Sequence, residues 1–479
     1  MVFLDSKYLL NMNKLLKQLK GKKIHIVGVT GAEGSNILRF LIKNNITGII
    51  THDFVNKNSI EKSFKLWHKG KKTQERKQMF KIFSLDLAKT DRRLGSDYLK
   101  DIHSAEIIFV PQSWRLYKKQ NQSLWKAKEK GIPFYSLTRI YLDYADAQII
   151  GVTGTVGKGS VANLLVQLLK HASRRVYFAG NETWMEQSAD KLDQMNKKDV
   201  LVLEISHRQL QDGYSRAPGI VVVTNIYPNH LDEVSWEEYQ RLKLDLLKAQ
   251  NKSDYCVLNY DIPQLRNIAS SLKQNVTFFS KKDISMNTKS VQKIFNFVMN
   301  TKSYHYQENL LAACSTAFIF GLNTEIIKNL IPTLVPLGAR LEFVSKISGI
   351  SFYNDIKSTT PWSTIAALNK FSNKSVILIC GGKNKNIAYN ELAKYVNTIV
   401  KKAIFLKSQL STILKNLLPQ DKWFEAVNLE QAIKYAYDIA KQGDNVIVSP
   451  AAGFFYTDFI KGKRSIKKIL TSLPLKKQV

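Results

Sequence analysis

The sequence feature that most constrains the fold is an apolar strand that runs through a glycine-rich loop directly into a helix. It reads IIGVTGTVGKGSVANLLVQLL and covers residues 149–169. Backbone N–H groups at the start of such a helix point toward bound phosphate, and the helix dipole favours negative charge there. Lys158 would reach the β- and γ-phosphates of a nucleotide, and the Ser160 hydroxyl would bind Mg²⁺. The stretch predicts a phosphate loop, because the alternative of a tight strand–helix turn gives Lys158 no packing role.

Strands alternate with helices on both sides of this loop, which predicts parallel sheets joined by right-handed crossovers. The chain has 479 residues, of which 44% are apolar, and a length of this order allows about two to four domains. Strand–glycine–helix patterns begin near residues 24 and 148, and further strands begin near residue 352. We predict an α/β protein of three domains, which cover residues 1–146, 147–335 and 336–479.

An earlier glycine turn follows the apolar strand at residues 24–27. Gly28, Gly31 and Gly34 loosely match the spacing of dinucleotide-binding turns, and Asp53 ends the next strand. Simple packing of a helix against a strand also explains these glycines. The pattern alone therefore leaves a nucleotide site and a structural turn both open.

Polar side chains follow two strands of the segment that contains the phosphate loop. Glu204 and Ser206 follow a strand at residues 200–203, and His230 follows a strand at residues 220–224. Ligands gather at the carboxyl ends of parallel strands, and Mg²⁺ accepts carboxylate oxygen readily but imidazole less typically. Either residue alone would fit a structural role, whereas Glu204 and His230 together indicate a cation site beside the phosphate loop.

The net charge of +32 raises the question of a nucleic-acid or membrane partner. Lysine outnumbers arginine about fourfold, and the lysines are scattered, whereas nucleic-acid sites favour arginine forks and aromatic platforms. We therefore interpret the charge as a solvated surface and expect no nucleic-acid partner. The N-terminus lacks a signal-peptide pattern, and the longest apolar stretch is too short to cross a bilayer. Because three distant cysteines also fit a reduced compartment, we expect a cytoplasmic protein without a membrane span.

Six ordered sequence blocks, the phosphate loop among them, resemble those of the Mur ligases and the related folylpolyglutamate synthetases. The loop from Thr153 to Ser160 is similar to T-G-T-N-G-K-x-S/T, with Val156 in place of Asn. The other blocks follow in the family's order: Glu204, Ser206 and Gln209; Asn225, His230 and Asp232; His305 and Asn309; Arg340 and Glu342; Asn354, Asp355, Lys357 and Thr359.

The resemblance implies an ATP-dependent ligase that forms an amide through an acyl phosphate, with ATP and two Mg²⁺ ions as cofactors. The implied ATP-binding residues are Thr153, Gly154, Thr155, Gly157, Lys158, Gly159, Ser160, Asn309, Arg340 and Asp355. The implied catalytic residues are Lys158, Lys243, His230 and Glu204, and the implied metal ligands are Ser160, Glu204, His230 and a carbamylated Lys243. The residues implied to bind a UDP-linked precursor are Gly28, Thr30, Gly31, Asp53, Asn181, Ser206 and Gln209. The residues implied to bind the amino acid are Lys357, Thr359, Lys385 and Ser449.

The first segment distinguishes the branches of the family, because folylpolyglutamate synthetases begin directly with the phosphate-loop domain. Here the preceding segment resembles a Rossmann-like, UDP-binding domain. The block NDIKST, the turn GGKNK and the pair Gly180-Asn181 favour the branch that adds D-glutamate. The resemblance then implies UDP-N-acetylmuramoyl-L-alanine and D-glutamate as substrates in peptidoglycan precursor synthesis. It also implies a central P-loop ATPase-like domain, a Rossmann-like C-terminal domain and a monomer.

Two segments depart from the family's pattern. In SPAAGFF, Ser449 matches, but Gly453-Phe454 stand where a glutamate-binding Ser is expected, which leaves the amino acid open. VPQSW, at residues 110–114, replaces the usual S-P-G loop and bears on the uridine contacts. Another amino-acid ligase of the Mur or folylpolyglutamate type is therefore one alternative. A nucleic-acid-dependent ATPase is an alternative from a different class.

Overall fold

A computed structural model describes residues 11–172, 174–181, 187–301, 306–372, 374–453 and 463–473. Three β-sheets form in three successive stretches of these residues, and all strand pairs but one are parallel. Parallel neighbours need crossover connections, usually helices, which is why strands and helices alternate along the chain. The predicted α/β class with parallel sheets is confirmed.

The first sheet has the strand order β3-β2-β1-β4-β5. Its strands are β1 Ile24–Val27, β2 Ile49–Asp53, β3 Asp91–Leu94, β4 Ile107–Phe109 and β5 Phe134–Tyr135. The helices of this stretch are α1 Asn11–Leu19, α2 Ala32–Lys43, α3 Ile60–Trp67, α4 Thr73–Leu87, α5 Gln122–Glu129 and α6 Leu137–Tyr144. The strand order reverses between β1 and β4, where ligands of open α/β sheets bind.

The second sheet has the order β11-β10-β9-β6-β8-β7 and is parallel throughout. Its strands are β6 Gln148–Thr153, β7 Val176–Ala179, β8 Val200–Glu204, β9 Ile220–Val223, β10 Tyr255–Asn259 and β11 Asn275–Phe279. The helices here are α7 Lys158–Lys170, α8 His207–Leu210, α9 Trp236–Lys248, α10 Pro263–Ala269, α11 Lys289–Gln292, α12 Phe295–Met299, α13 Gln307–Ile319 and α14 Thr324–Leu330. The strands β8 and β9 flank β6, so the residues that follow all three strands lie at one edge.

The third sheet has the order β12-β13-β17-β14-β15-β16, with β12 antiparallel to β13. Its strands are β12 Glu342–Ile347, β13 Ile350–Asn354, β14 Val376–Cys380, β15 Val400–Leu406, β16 Trp423–Ala426 and β17 Asn445–Val448. Its helices are α15 Pro361–Leu368, α16 Asn390–Ile399, α17 Gln409–Lys415, α18 Leu429–Ile439 and α19 Lys463–Thr471. Strand β14 is fully buried and has apolar side chains packed against both faces, as expected for a central parallel strand.

The described chain packs as two compact units. One comprises described residues within Met1–Thr224, Gln240–Asn296 and Leu311–Ile331, and the other those within Asn225–Tyr239, Phe297–Leu310 and Pro332–Val479. The first two sheets belong to the first unit and the third sheet to the second, and the boundaries near residues 146 and 336 stay a prediction. Every helix in the described ranges falls short of the length and apolar character that a bilayer crossing demands.

Candidate active site

The glycine-rich loop follows β6 and leads directly into α7, which begins at Lys158. Gly154 has φ 138° and Gly157 has φ 90°, and side chains rarely tolerate such backbone conformations. The Lys158 ammonium lies over the loop and donates to the Thr155 carbonyl, with 3.1 Å between nitrogen and oxygen. The loop therefore has the backbone shape and the cation that a phosphate site requires.

Neighbouring strands hold this loop in place through threonine side chains. The Thr153 hydroxyl donates to the Ile205 carbonyl at 3.0 Å. The Thr224 backbone N–H donates to the Thr153 carbonyl at 3.1 Å, and its hydroxyl donates to the Val156 carbonyl at 2.6 Å. Because these bonds fix both sides of the loop, its conformation is already formed before a ligand arrives.

Glu204 and Lys243 lie beside the loop in the first unit. Glu204 ends β8, pairs in register with Val152, and is 3% exposed. Lys243 is 1% exposed, and its Nζ lies 3.5 Å from the Thr153 hydroxyl. Burial, and then the charge of Lys158, hold the pKa of Lys243 well below its usual range. A buried carboxylate and two amines beside a helix start can accommodate polyphosphate and a divalent cation.

The predicted residues of the first glycine turn bond to each other. The backbone N–H and the hydroxyl of Thr30 both donate to Oδ2 of Asp53, at 2.9 and 2.8 Å. Gly31 caps α2, and a Cβ on Gly34 would lie 2.3 Å from the Gly28 carbonyl oxygen. Close packing thus accounts for Gly34, whereas Thr30 and Asp53 form a polar pair at the carboxyl end of the strands.

The predicted precursor residues Asn181, Ser206 and Gln209 meet the first-sheet segment at Gln112. Ser206 caps α8, and the Gln209 side chain accepts from the Ser206 backbone N–H at 2.8 Å. The Gln112 side chain bonds both the Ser206 hydroxyl and the Asn181 carbonyl oxygen. Its backbone N–H donates to the carboxylate of Glu33 at 2.8 Å. The fold therefore brings these separate sequence segments together.

In the second unit, Asp355 and Ser449 form a buried hydrogen-bonded group. The Ser449 hydroxyl lies 2.7 Å from Asp355 Oδ2 and 2.7 Å from the Thr364 hydroxyl. The Leu341 backbone N–H donates to Asp355 Oδ1 at 2.8 Å. Burial raises the pKa of Asp355 to about 6 despite these bonds. In this conformation the Ser449 hydroxyl is engaged in orienting Asp355.

The GGKNK turn brings two of the predicted amino-acid residues of the second unit, Lys385 and Thr359, together. The Lys385 ammonium is 3.4 Å from the Thr359 hydroxyl, and the Lys385 carbonyl accepts from the Leu231 backbone N–H at 3.0 Å. A Cβ on Gly382 would lie 2.3 Å from the Gly453 carbonyl oxygen, so the turn requires glycine there. The NDIKST, GGKNK and SPAAG blocks, far apart in sequence, are therefore neighbours.

The remaining predicted residues of the second unit have different surroundings. His230 has φ 58°, and its Nδ1 lies 3.0 Å from a carboxylate oxygen of Glu233. Asn309 lies in the first turn of α13 and is half-buried. Arg340 and Lys357 are also half-buried, on the segments before β12 and after β13. The predicted His305 lies outside the described residues.

Family models match two long stretches of the chain. The Mur ligase middle domain matches residues 152–317, and the model described as "Mur ligase, glutamate ligase domain" matches residues 339–452. A UDP-N-acetylmuramoylalanine--D-glutamate ligase from Streptococcus agalactiae serotype Ia is 30% identical over 346 residues, which cover 69% of this chain and 75% of that protein. The chain belongs to the Mur ligase family. This Mur ligase is accordingly an ATP-dependent ligase that forms carbon–nitrogen bonds.

Other relatives extend the similarity over almost the whole Mur ligase chain. A protein of the same name from Caldanaerobacter subterraneus subsp. tengcongensis is 29% identical over 473 residues, which cover 95% of this chain and 99% of that protein. A UDP-N-acetylmuramate-alanine ligase from Thermotoga maritima has a TM-score of 0.56 at 13% identity and covers 94% of this chain and 100% of its own. At that identity, the structural likeness shows the shared fold.

Sequence reasoning missed a group of interacting charged and aromatic residues in this Mur ligase. The Arg115 guanidinium lies 2.6 Å from a carboxylate oxygen of Asp212 and 4.5 Å from the centre of the Trp114 ring. Burial raises the pKa of Asp212 and also raises the pKa of Glu33 to about 7. The only signal in the sequence was the departure of VPQSW from the family's loop, since nothing local indicates the distant partners.

Proposed function

We propose that this Mur ligase adds D-glutamate to UDP-N-acetylmuramoyl-L-alanine in peptidoglycan precursor synthesis and releases ADP and phosphate. The observation that carries the proposal is the near full-length similarity to ligases of that name. The first unit supplies the phosphate loop and the predicted precursor residues, and the second supplies the GGKNK and NDIKST segments. We further propose a cytoplasmic monomer that acts on small molecules and has no nucleic-acid partner.

The chemistry divides into two steps. A carboxylate oxygen of the precursor attacks the γ-phosphorus of ATP, and the bond between that phosphorus and the β-phosphate oxygen breaks. ADP departs, and the precursor now carries an acyl phosphate. The amine of the amino acid then attacks the acyl carbon, phosphate departs with the bonding electrons, and the amine loses a proton. Such steps need neutralised charge and alignment more than a protein nucleophile. In this proposal, the helix start of α7 and the Lys158 ammonium, which lies over the loop, would neutralise the transferred phosphoryl group.

Two Mg²⁺ ions form the finer part of the proposal. Ser160, in the first turn of α7, and Glu204, at the end of β8, both offer buried oxygen atoms. Oxygen ligands suit a hard cation such as Mg²⁺. Burial favours the uncharged amine of Lys243, and an uncharged amine is the form that reacts with carbon dioxide to give a carbamate. His230, in the second unit, stays a ligand that only the family resemblance implies, and imidazole is a less typical ligand of Mg²⁺. Bound Mg²⁺ would neutralise phosphate charge.

The amino-acid site is proposed on the second unit. Lys385, 7% exposed and 3.4 Å from the Thr359 hydroxyl, offers a positive charge for a carboxylate. Lys357 and Ser449 complete the proposed set, with the Ser449 hydroxyl acting through Asp355 in the observed arrangement. Because Gly453 stands where the family has a glutamate-binding serine, another amino acid is the second candidate.

The test is phosphate release from ATP and Mg²⁺ in the presence of UDP-N-acetylmuramoyl-L-alanine and a panel of D- and L-amino acids. Reactions without an amino acid provide the baseline, and we expect turnover only with D-glutamate. Turnover with a different amino acid would reassign the pocket near Lys385. Silence across the panel, with ATP binding intact, would overturn the proposed acceptor, and pteroylglutamate would be tried next.

A further inference from the structure

Gln112 occupies a position in the first unit where three chain segments meet. Its Nε2 lies 3.2 Å from the Asn181 carbonyl oxygen, and its Oε1 lies 3.0 Å from the Ser206 hydroxyl. Its backbone N–H donates to Glu33 at 2.8 Å. A side chain that bonds two predicted precursor residues therefore lies in VPQSW, the segment that replaces the family's usual S-P-G loop.

The orientation of the Gln112 amide follows from its partners. A backbone carbonyl oxygen can only accept, so the group that faces Asn181 must be the amide NH₂. The amide oxygen then faces Ser206, and the hydroxyl of Ser206 must donate to it. The bond to Asn181 therefore determines the direction of the bond from Ser206.

This direction limits what the Ser206 hydroxyl can offer a ligand. A serine hydroxyl has one donor and two lone pairs. The donor is used on Gln112, and the Gln209 backbone N–H donates to the same oxygen at 3.4 Å. One lone pair remains, which can accept from a ligand N–H or O–H but repels phosphate and carboxylate oxygens.

The loop that contains Gln112 also contacts the residues that follow the C-terminal end of α8. The Trp114 indole N–H donates to Asp212 at 3.3 Å, and the Arg115 guanidinium pairs with the same carboxylate. Arg115 also donates to the Gln211 carbonyl at 3.2 Å. Because these bonds hold the loop against the residues after α8, the bond from Gln112 to Ser206 has a fixed frame.

We propose that Gln112 is a positioning residue for the UDP-linked precursor. Gln112 fixes the Ser206 hydroxyl as an acceptor for an N–H or O–H group of that substrate. The inference rests on the proposed function, since it takes its substrate class from it. The amide N–H groups and sugar hydroxyls of the precursor are groups of the required kind. Without the Gln112 side chain, the Ser206 proton could turn toward phosphate.

The test is a double-mutant cycle of Gln112→Ala and Ser206→Ala. Because one hydrogen bond contributes about 1.4 kcal/mol, or about tenfold in affinity, we expect each variant to raise KM for the precursor about tenfold. The kcat and the KM for ATP should change less than about twofold. The double variant should match the single variants, since a residue that acts through Ser206 has nothing to add once Ser206 is gone.

Gln148→Ala is the matched control, because Gln148 is another half-buried glutamine of the first unit whose Nε2 donates to a carbonyl, that of Lys197, at 3.1 Å. It should leave KM for the precursor unchanged. The inference would be overturned if the increases in KM of the two single variants multiplied in the double variant, or if Gln112→Ala left KM unchanged. In either case, turnover by the unaltered chain would still support the proposed function. If calorimetry found that the unaltered chain does not bind UDP-N-acetylmuramoyl-L-alanine, both would fall.

Discussion

The chain contains two strand–glycine–helix turns that look alike in sequence but carry opposite charge. At the turn between β1 and α2, the nearby charged groups are the carboxyls of Asp53 and Glu33. At the turn between β6 and α7, they include the Lys158 ammonium, beside the buried Lys243 amine whose pKa is lowered. Both turns begin a helix whose free N–H groups favour an anion.

The difference indicates which turn binds phosphate through charge. In the first turn, protein carboxylates already accept from the Thr30 and Gln112 backbone N–H groups. In the second, the Lys158 ammonium lies over the loop at the helix start, so an anionic ligand would be attracted there. We infer that the second turn holds the nucleotide phosphates and that the first recognises its ligand mainly by hydrogen bonds.

Removing the loop cation should have the largest effect. We expect Lys158→Ala to lower kcat by about a thousandfold, because a charge aimed at the transferred phosphoryl group contributes on that order. Phosphate release under saturating ATP would measure the loss, and circular dichroism would check the fold.

Lys170→Ala provides the control for this variant, since Lys170 is an exposed lysine in the last turn of the same helix. It should retain normal turnover. Near-normal turnover by Lys158→Ala would remove the functional contrast between the two turns.

A smaller loss is expected from Lys243→Ala. If Lys243 carries a carbamate that helps to hold a cation, kcat should fall about a hundredfold, as when one electrostatic donor is removed. Added formate or acetate should restore part of the activity by supplying the lost oxygen ligands. Phosphate release with and without these carboxylates measures the rescue.

Lys248→Ala, at an exposed lysine of the same helix, is the matched control and should need no rescue. A folded Lys243→Ala variant that no carboxylate rescues would make Lys243 a structural lysine. The second turn would then differ from the first in its charge, but Lys243 would not supply it with a ligand for a cation.

The sequence predicted the local features of this comparison and missed the distant ones. The phosphate loop was predictable because β6, the glycines and Lys158 are consecutive, and the same holds for most of the strands. The antiparallel strand β12 was missed, because its pairing with β13 depends on a turn and not on a helix crossover. Gln112 and Glu33 were not predicted, because their partners lie 94 and 79 positions away in the chain.

The residues predicted to bind the amino acid show a related limit, because here the segment was predicted but the side chain's contacts were not. The motif containing Ser449 was recognised from a short block, but residue type and spacing do not reveal that its hydroxyl is fully buried against Asp355 and Thr364. A motif identifies which segment reaches a site, whereas the role of each side chain depends on neighbours that the fold supplies.

The smallest effect should come from Glu33→Gln, which tests the carboxyl at the first turn. Burial raises the pKa of Glu33 from 4.5 to about 7, with Asp212 adding to the rise. Between these two values the folded chain keeps a proton that the unfolded chain has released, so this group's contribution to stability falls as pH rises from about 4.5 to about 7. Glutamine retains an oxygen that can accept from the Gln112 N–H but does not titrate. We therefore expect the variant to melt a few degrees above the unaltered chain at pH 8 and at the same temperature at pH 4.5.

Differential scanning calorimetry across this pH range measures the shift, and Glu129→Gln, at an exposed glutamate of α5, is the control. Removing a negative charge anywhere from a chain of net charge +32 changes the overall repulsion slightly, so only the excess of the first variant over the second reports on burial. Equal shifts in the two variants would mean that Glu33 ionises as an exposed carboxyl does. Glu33 would then carry a full negative charge at neutral pH. The contrast with the cationic second turn would be sharper, because a phosphate at α2 would face the ionised carboxylate of Glu33.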